Sequence, residues 1–311
     1  MRFRRITITT RFLCLLLFPA LGLAGCSGYG VYDLLSSQMN GTGGDGSGDS
    51  SFPDDAWNSG TDAVYRSRII IDNRGQSETL HNFQLMVKLD GTRIDYTQTQ
   101  DDGSDLRFFD RGDNGAELYY EIEEWDEAGE SSLWVRIPDI DAASQDYIWM
   151  YWGATGTTVY SNAAQVWNEY ELVYHFNGLT GLDGVENPAG IDGTANGTAG
   201  GPIQPAKIGN GFRTLHSGTA SDKQYVDTNY RSAGVPDAWT IETWVKGDAS
   251  PVDTGVINGP ITGHTYYNIQ WDHNSNPGGL VYSDDTQGWR INLSLGGASL
   301  APDTWYYLSG V

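Results

Sequence analysis

At 311 residues the chain is long enough for two domains. Forty acidic against eighteen basic residues give a formal charge of −22, which repels nucleic acid and anionic lipid headgroups and argues against both as partners. Eleven Trp, eighteen Tyr and forty Gly, with few long helix-like stretches, predict an all-β protein with many turns.

The chain opens with a basic stretch (Arg2, Arg4, Arg5, Arg11) and an apolar run from Phe12 to Leu23, closed by Leu23-Ala24-Gly25-Cys26. The run is short for a membrane span, which wants about 20 apolar residues, and Pro19 and Gly22 break it. Residues 1–25 resemble a bacterial lipoprotein signal, with Cys26 as the lipidated first residue of the mature chain. The pair Arg4-Arg5 hints at twin-arginine export, but Phe3 and Ile6-Thr7-Ile8 fit that signal poorly. The resemblance implies an extracytoplasmic protein whose contact with the membrane is its N-terminal lipid. In a cell with two membranes, Ser27 after the cysteine implies sorting to the outer one. Loss of the four arginines of residues 1–25 takes the formal charge from −22 to −26. The second cysteine, Cys14, leaves with the signal, so no disulfide can form once Cys26 is acylated.

Residues 26–56 read as a flexible Gly/Ser/Asp tether with too little apolar surface to fold. About 30 such residues span roughly 30 Å on average. Gly41, Gly43 and Gly46 match the spacing of a dinucleotide fingerprint, but no strand precedes them and no helix follows.

A first folded unit is expected over residues 57–168. Phe83, Leu85, Val87 and Leu89 alternate with Gln84, Met86 and Lys88. Leu118, Tyr120 and Ile122 alternate with Glu117, Tyr119, Glu121 and Glu123, and Leu133, Val135 and Ile137 with Trp134 and Arg136. Each reads as a strand with one buried face, and Asp-Gly or Asn-Gly turns separate them, which is the rhythm of a β-sandwich. Residues 147–152 are apolar on both faces and predict a central strand covered on both sides. Asp102-Gly103-Ser104-Asp105-Leu106-Arg107-Phe108, Tyr120–Trp125, Leu133–Pro138 and Ile148–Gly153 resemble a bacterial surface domain family of unknown function. That family is often found just before laminin-G-like domains, and the resemblance implies a fold and a context but no reaction.

The second unit is expected over residues 169–311. Leu172, Tyr174 and Phe176 read as an opening strand, with His175 as a structural histidine on it. A Gly/Asn/Asp stretch follows from Asn177 to Gly211, and strands resume at 223–230, 238–246, 267–272, 279–283, 288–295 and 304–311. Leu172–Asn177, Lys207–Phe212, Thr240–Lys246 and Thr304–Val311 resemble the laminin-G/concanavalin A-like jelly-roll superfamily. The expected fold is therefore two antiparallel β-sandwiches, the second a concanavalin A-like jelly roll. The sequence stops inside a strand pattern, so that jelly roll is expected to be truncated. The resemblance implies a bias toward glycans and leaves function open.

Aromatic residues carry the binding signal. Tyr267, Trp271, Tyr282 and Trp289 fall near Asp272 and Asn274 in a Gly/Asn-rich section. Flat rings stack on the C–H faces of sugars while Asp and Asn take their hydroxyls; the same rings could equally fill the core. Asp183, Asp284 and Asp285 are candidate calcium ligands, since hard oxygens on loops suit that ion. A second acidic group comprises Asp101, Asp102, Asp105, Asp110 and Asp113. Asp also favours turns for its own backbone hydrogen bonds. His81, His175, His216, His264 and His273 are scattered and give no zinc pattern. Arg111-Gly112-Asp113 spells an adhesion tripeptide but reads as ordinary turn residues.

No catalytic residues are assigned. Glu121-Ile122-Glu123-Glu124-Trp125-Asp126 places two carboxylates on one strand face, as a retaining glycosidase requires, yet it departs from the glucanase pattern in carrying Glu123 for the central aspartate. It reads instead as a solvated acidic face. The expected function is a non-catalytic surface module that binds glycans or glycoconjugates with calcium. Adhesion to a protein partner and glycoside hydrolysis are the alternatives.

Overall fold

The computed structural model describes residues 55–156, 160–170, 172–177, 193–196, 203–213, 225–227, 241–246, 254–261, 265–271, 279–284, 288–294 and 303–310. Its contacts divide the chain into two compact units that part between Val166 and Trp167. The regular structure of the described residues is almost entirely β, and every ladder is antiparallel.

In the first unit the strands are β1 (Tyr65–Asp72), β2 (Leu80–Asp90), β3 (Arg107–Asp110), β4 (Glu117–Leu118), β5 (Tyr120–Glu124), β6 (Glu130–Ile140) and β7 (Gln145–Trp152). A four-residue helix, α1 (Ala163–Val166), follows them. The strands form two sheets, ordered β1-β7-β3-β4 and β2-β6-β5. Alternation decides which residues meet between them. Phe83, Leu85, Val87 and Leu89 of β2 and Leu133, Val135 and Ile137 of β6 turn the same way. They join Ile69 and Ile71 of β1, Phe108 of β3 and Ile148, Met150 and Trp152 of β7 in one core. Two sheets sharing one apolar core is the sandwich arrangement.

Strand β7 lies between β1 and β3 and is buried along nearly its whole length. Its other face makes a second core: Tyr147, Trp149 and Tyr151 pack with Phe109 and Ala63, and Trp57 and Ala154 close against them. Trp57 and Ala63 come from residues 55–63, which cross this face before β1 begins.

The second unit holds β8 (Thr194–Asn196), β9 (Ile203–Pro205), β10 (Asn210–Phe212), β11 (Tyr225–Asp227), β12 (Ile241–Lys246), β13 (Thr254–Ile261), β14 (Thr265–Trp271), β15 (Gly279–Asp284), β16 (Gly288–Ser294) and β17 (Trp305–Gly310). Its largest described sheet is the meander β13-β14-β15-β16, and β12 pairs with β17, β9 with β10 and β8 with β11. The order differs from expectation in three places, the first being β13, which falls where no strand is expected. Residues 172–176 form no strand: Leu172, Val173 and Tyr174 are all buried, so no alternation survives, and Phe176 takes a φ of 58°. The Gly/Asn/Asp stretch holds three short strands, β8, β9 and β10.

Candidate functional site

Four of the six predicted ligand-binding residues fall on three adjacent strands of the meander. The register sets Tyr267 of β14 opposite Tyr282 of β15, and Trp271 ends β14 opposite Thr254 of β13. Trp289 of β16 stands opposite Ser283, next to a register shift that follows Tyr282. Asp272 and Asn274 lie outside the described residues, as do Cys26, Asp183 and Asp285. Asp284, a predicted calcium ligand, ends β15 between Thr265 and Gly288. Antiparallel pairing thus brings Tyr267 and Tyr282, 15 residues apart in sequence, into direct opposition, while the position of Trp289, level with Ser283, belongs to the other face of the sheet.

The first unit carries a cluster that the sequence did not announce. Arg66 and Arg68 alternate on β1 and lie opposite Tyr151 and Trp149 of β7. Both arginines are buried. The Arg66 guanidinium stands 4.1 Å from the Trp149 ring centre and 5.0 Å from that of Trp57. Arg68 stands 4.7 Å from Trp149 and 5.0 Å from Tyr147. Aromatic faces attract a guanidinium strongly where water is excluded, which helps hold these charges in the interior. Arg66 also donates to the carbonyls of Asp55 at 3.1 Å and Ala56 at 3.3 Å.

Asp55 completes the cluster. One of its carboxylate oxygens accepts from the Gly112 backbone N–H at 2.8 Å, the Tyr147 hydroxyl at 2.8 Å and Trp149 Nε1 at 2.9 Å. Burial pushes this carboxyl up, but the bonds from Trp149, Tyr147 and Gly112 and the charge of Arg68 outweigh it and hold it below the ordinary carboxylate range. Burial, together with the bond to Asp55, pushes the Tyr147 hydroxyl up to about 12, so it remains a donor. Asp55 and Ala56, which composition places in the tether, are thus held in the folded unit. Charges and rings here hold one another in place, and the chemistry is that of a clasp.

The acidic loop is also occupied by the fold. Asp102 accepts from the Ser104 N–H at 3.0 Å, and Gly103 adopts a φ of 68° beneath the Trp125 ring. Asp105 is buried and accepts from the N–H groups of Gln100 at 2.9 Å and Gly153 at 2.7 Å. Arg107 pairs with Glu117 and donates to the Gly60 carbonyl at 3.2 Å, with the Tyr160 ring 3.5 Å from its guanidinium. Phe108 enters the core.

Residues 102–186 match the family model described as Domain of unknown function (DUF2341). No curated protein and no solved structure matches the chain. The DUF2341 match bears out the expected resemblance to a family of unknown function over that span. It begins at Asp102, and the motif from Asp102 to Phe108 is occupied residue by residue with turn, staple and core contacts.

The remaining loop carboxylates serve similar ends. Asp113 accepts from the Ala56 N–H, and Asp110 from the Arg111 N–H at 2.8 Å. Burial raises the Asp110 carboxyl, with Asp146 and Asp139 adding to the effect. Arg111 pairs with buried Asp146 and with Asp141 at 3.1 Å, so its side chain serves the turn. Among the described residues no group of three or more His, Cys, Asp or Glu side chains stands close enough together to hold a metal ion.

The pair Glu121 and Glu123 needs correction. A register shift on β5 between Ile122 and Glu124 drops Glu123 out of the ladder with β6. Glu123 is buried and accepts from Trp134 Nε1 at 2.8 Å. The face is therefore not the solvated acidic surface that strict alternation predicts. Glu123 meets the Trp134 indole, which is opposite Glu121 and is itself buried although it lies on the supposedly polar face of β6.

Proposed function

We propose that this chain is a lipid-anchored surface protein whose second unit binds glycans without modifying them, on a concanavalin A-like jelly roll. The observation that carries this reading is the register of the meander, which brings Tyr267 opposite Tyr282, with Trp271 four residues along β14 at a position on the same face. Aromatic positions on neighbouring strands, spaced about 4.7–4.9 Å from strand to strand, suit a run of sugar rings. Polar residues next to them in sequence, Asp272 and Asn274, would fix sugar hydroxyls. Asp183, Asp284 and Asp285 would supply hard oxygen ligands for a calcium ion. The hydrogen bond that Trp134 gives Glu123 also supports a non-catalytic reading of the glutamate motif, because one carboxylate of that pair is committed to the fold.

The test is an array of glycans and polysaccharides, presented to the purified chain with calcium and again with a chelator. Specific binding that Trp271→Ala and Tyr282→Ala weaken at least tenfold, about 1.4 kcal/mol each, is the expected result. Loss of that binding in chelator supports the calcium ligands. A well-folded chain that binds no glycan in either buffer sinks the reading.

A further inference from the structure

The clasp in the first unit fixes where a pull on the chain enters the fold. In its described sheet β1 stands at the edge, beside β7. Its first pair sets Tyr65 opposite Trp152. A load arriving at Val64 meets the end of that edge strand and opens the ladder pair by pair. Residues 55–63 move the entry point away from there. The Val64 N–H donates to the Trp152 carbonyl at 3.1 Å, the Asn58 N–H to the Tyr151 hydroxyl at 3.1 Å, and Asp55 accepts from Trp149 and Tyr147. The segment thus follows β7 from its last residue back toward its start, and a pull from the N-terminal side arrives near Tyr147.

A second set of contacts goes to the turn between β3 and β4. The Gly112 N–H bonds Asp55 at 2.8 Å, and the Ala56 N–H bonds Asp113. The Ser59 N–H and hydroxyl reach Asn114 Oδ1 at 2.9 and 2.8 Å, and Asn58 Nδ2 donates to the Gly115 carbonyl at 3.0 Å. Arg111 of the same turn pairs with Asp146, the second residue of β7. Both sets of contacts therefore lead to β7, which is flanked by β1 and β3. The exit from the unit is tied to the other sheet. The Asn162 N–H donates to the Tyr120 carbonyl of β5 at 2.7 Å. Gln84 of β2 and Arg136 of β6 donate to the carbonyls of Val166 and Gln165 at 3.2 and 3.4 Å.

We infer that residues 55–63 are a mechanical lock: they pass tension on the N-terminal segment into β7 and keep it off the edge strand β1 until the clasp parts. The order of contacts suits that role. Asp55 meets the load first, and its carboxylate oxygen takes three donors at once. Hydrogen bonds to an ionised group are about twice as strong as those between neutral groups, and a buried charge is costly to strip of its partners. Behind it, Trp57 packs edge-on to Tyr151 at 5.1 Å, and Arg66 of β1 holds the carbonyls of Asp55 and Ala56. The proposed lipid on Cys26 and a glycan held by the second unit would supply opposing pulls. The inference rests on that reading for the source of the load alone.

Constant-force measurements on the full, unlipidated chain test the inference, with the load applied at two entry points. In one chain the handles sit on Cys26 and Asn168→Cys, with Cys14→Ser. In the other they sit on Val64→Cys and Asn168→Cys, with Cys14→Ser and Cys26→Ser. Val64 and Asn168 are exposed and take no part in the clasp. At one fixed tension the first unit is expected to survive at least about ten times longer when pulled from Cys26, because the clasp must part first. Asp55→Asn, which keeps an accepting oxygen, is expected to shorten that lifetime by a larger factor than it shortens the lifetime under a pull from Val64. A lifetime from Cys26 no longer than that from Val64 overturns the inference. So does an equal effect of Asp55→Asn on both, since a contact that only adds stability does not distinguish the two loads. Either failure leaves the glycan reading standing, and a chain that binds no glycan leaves the lock standing.

Discussion

Asp55 gathers three donors onto one carboxylate oxygen: the Gly112 N–H, the Tyr147 hydroxyl and the Trp149 indole. Removing that acceptor leaves the two buried donors, on Tyr147 and Trp149, and the part-buried Gly112 N–H without it. Asp55→Ala is expected to destabilise the chain by about 3–5 kcal/mol, the range for breaking a buried charged contact. Asp55→Asn should cost less, because an amide keeps one accepting oxygen. The folded carboxyl sits below its unfolded value, so folding is favoured by its ionisation. That contribution is complete above the ordinary carboxylate pKa of about 3.9 and is lost as pH falls through the lower folded value. Urea unfolding followed by tryptophan fluorescence should therefore show a wide gap between wild type and Asp55→Ala at pH 7. The gap should narrow toward pH 2, and one that stays constant would show that the carboxylate charge is not what holds the contact.

At the scale of elements, the alternation of Phe83 to Leu89 and of Leu133 to Ile137 was legible because one face of each strand meets the core and period two is the only pattern that does so. Strand β13 was hidden by Gly255, Gly259 and Pro260, residues that sequence reading assigns to turns. The bulge at Glu123 was hidden for another reason: one extra residue reverses every later in–out assignment, and nothing local marks it. Of the candidate ligand-binding residues, their presence on strands was legible and their register was not, since pairing depends on partners distant in sequence. The turn from Asp102 to Asp105 shows how an element can be tested. At Gly103 a Cβ would come within 2.7 Å of the Trp125 ring, and φ is 68°. Gly112 has a φ of 88° but open space around it. Gly103→Ala should cost about 2–3 kcal/mol, combining left-handed strain with overpacking, and Gly112→Ala about 1 kcal/mol from strain alone. Thermal melts of the two variants check the order; equal losses would mean that the Trp125 contact contributes nothing.

At the scale of the whole molecule, the first unit begins earlier than composition suggests. Asp55 reads as the end of a polar tether, yet its partners, like those of Asn58, lie about 57 to 94 residues away, on the β3–β4 loop and on β7. Arg66 and Arg68 are equally illegible, because a buried arginine is anomalous until the rings beside it are known. Residues 55–63 thus act as a strap over Tyr147, Trp149 and Tyr151. Trp57 packs edge-on to Tyr151 at 5.1 Å, and the Asn58 N–H donates to the Tyr151 hydroxyl at 3.1 Å. Without the strap this aromatic face would be open, and Arg66 would lose the carbonyls of Asp55 and Ala56. A chain that starts at Asp55 should therefore melt cooperatively, whereas one that starts at Val64 should melt at least about 10 °C lower and bind a hydrophobic dye such as ANS at room temperature. Equal melting points and no dye binding would show that the sandwich core alone, from Ile69 to Trp152, is sufficient. The opposite result would place the functional start of the unit at Asp55 and make the strap the joint through which any pull on the N-terminal segment reaches the sandwich.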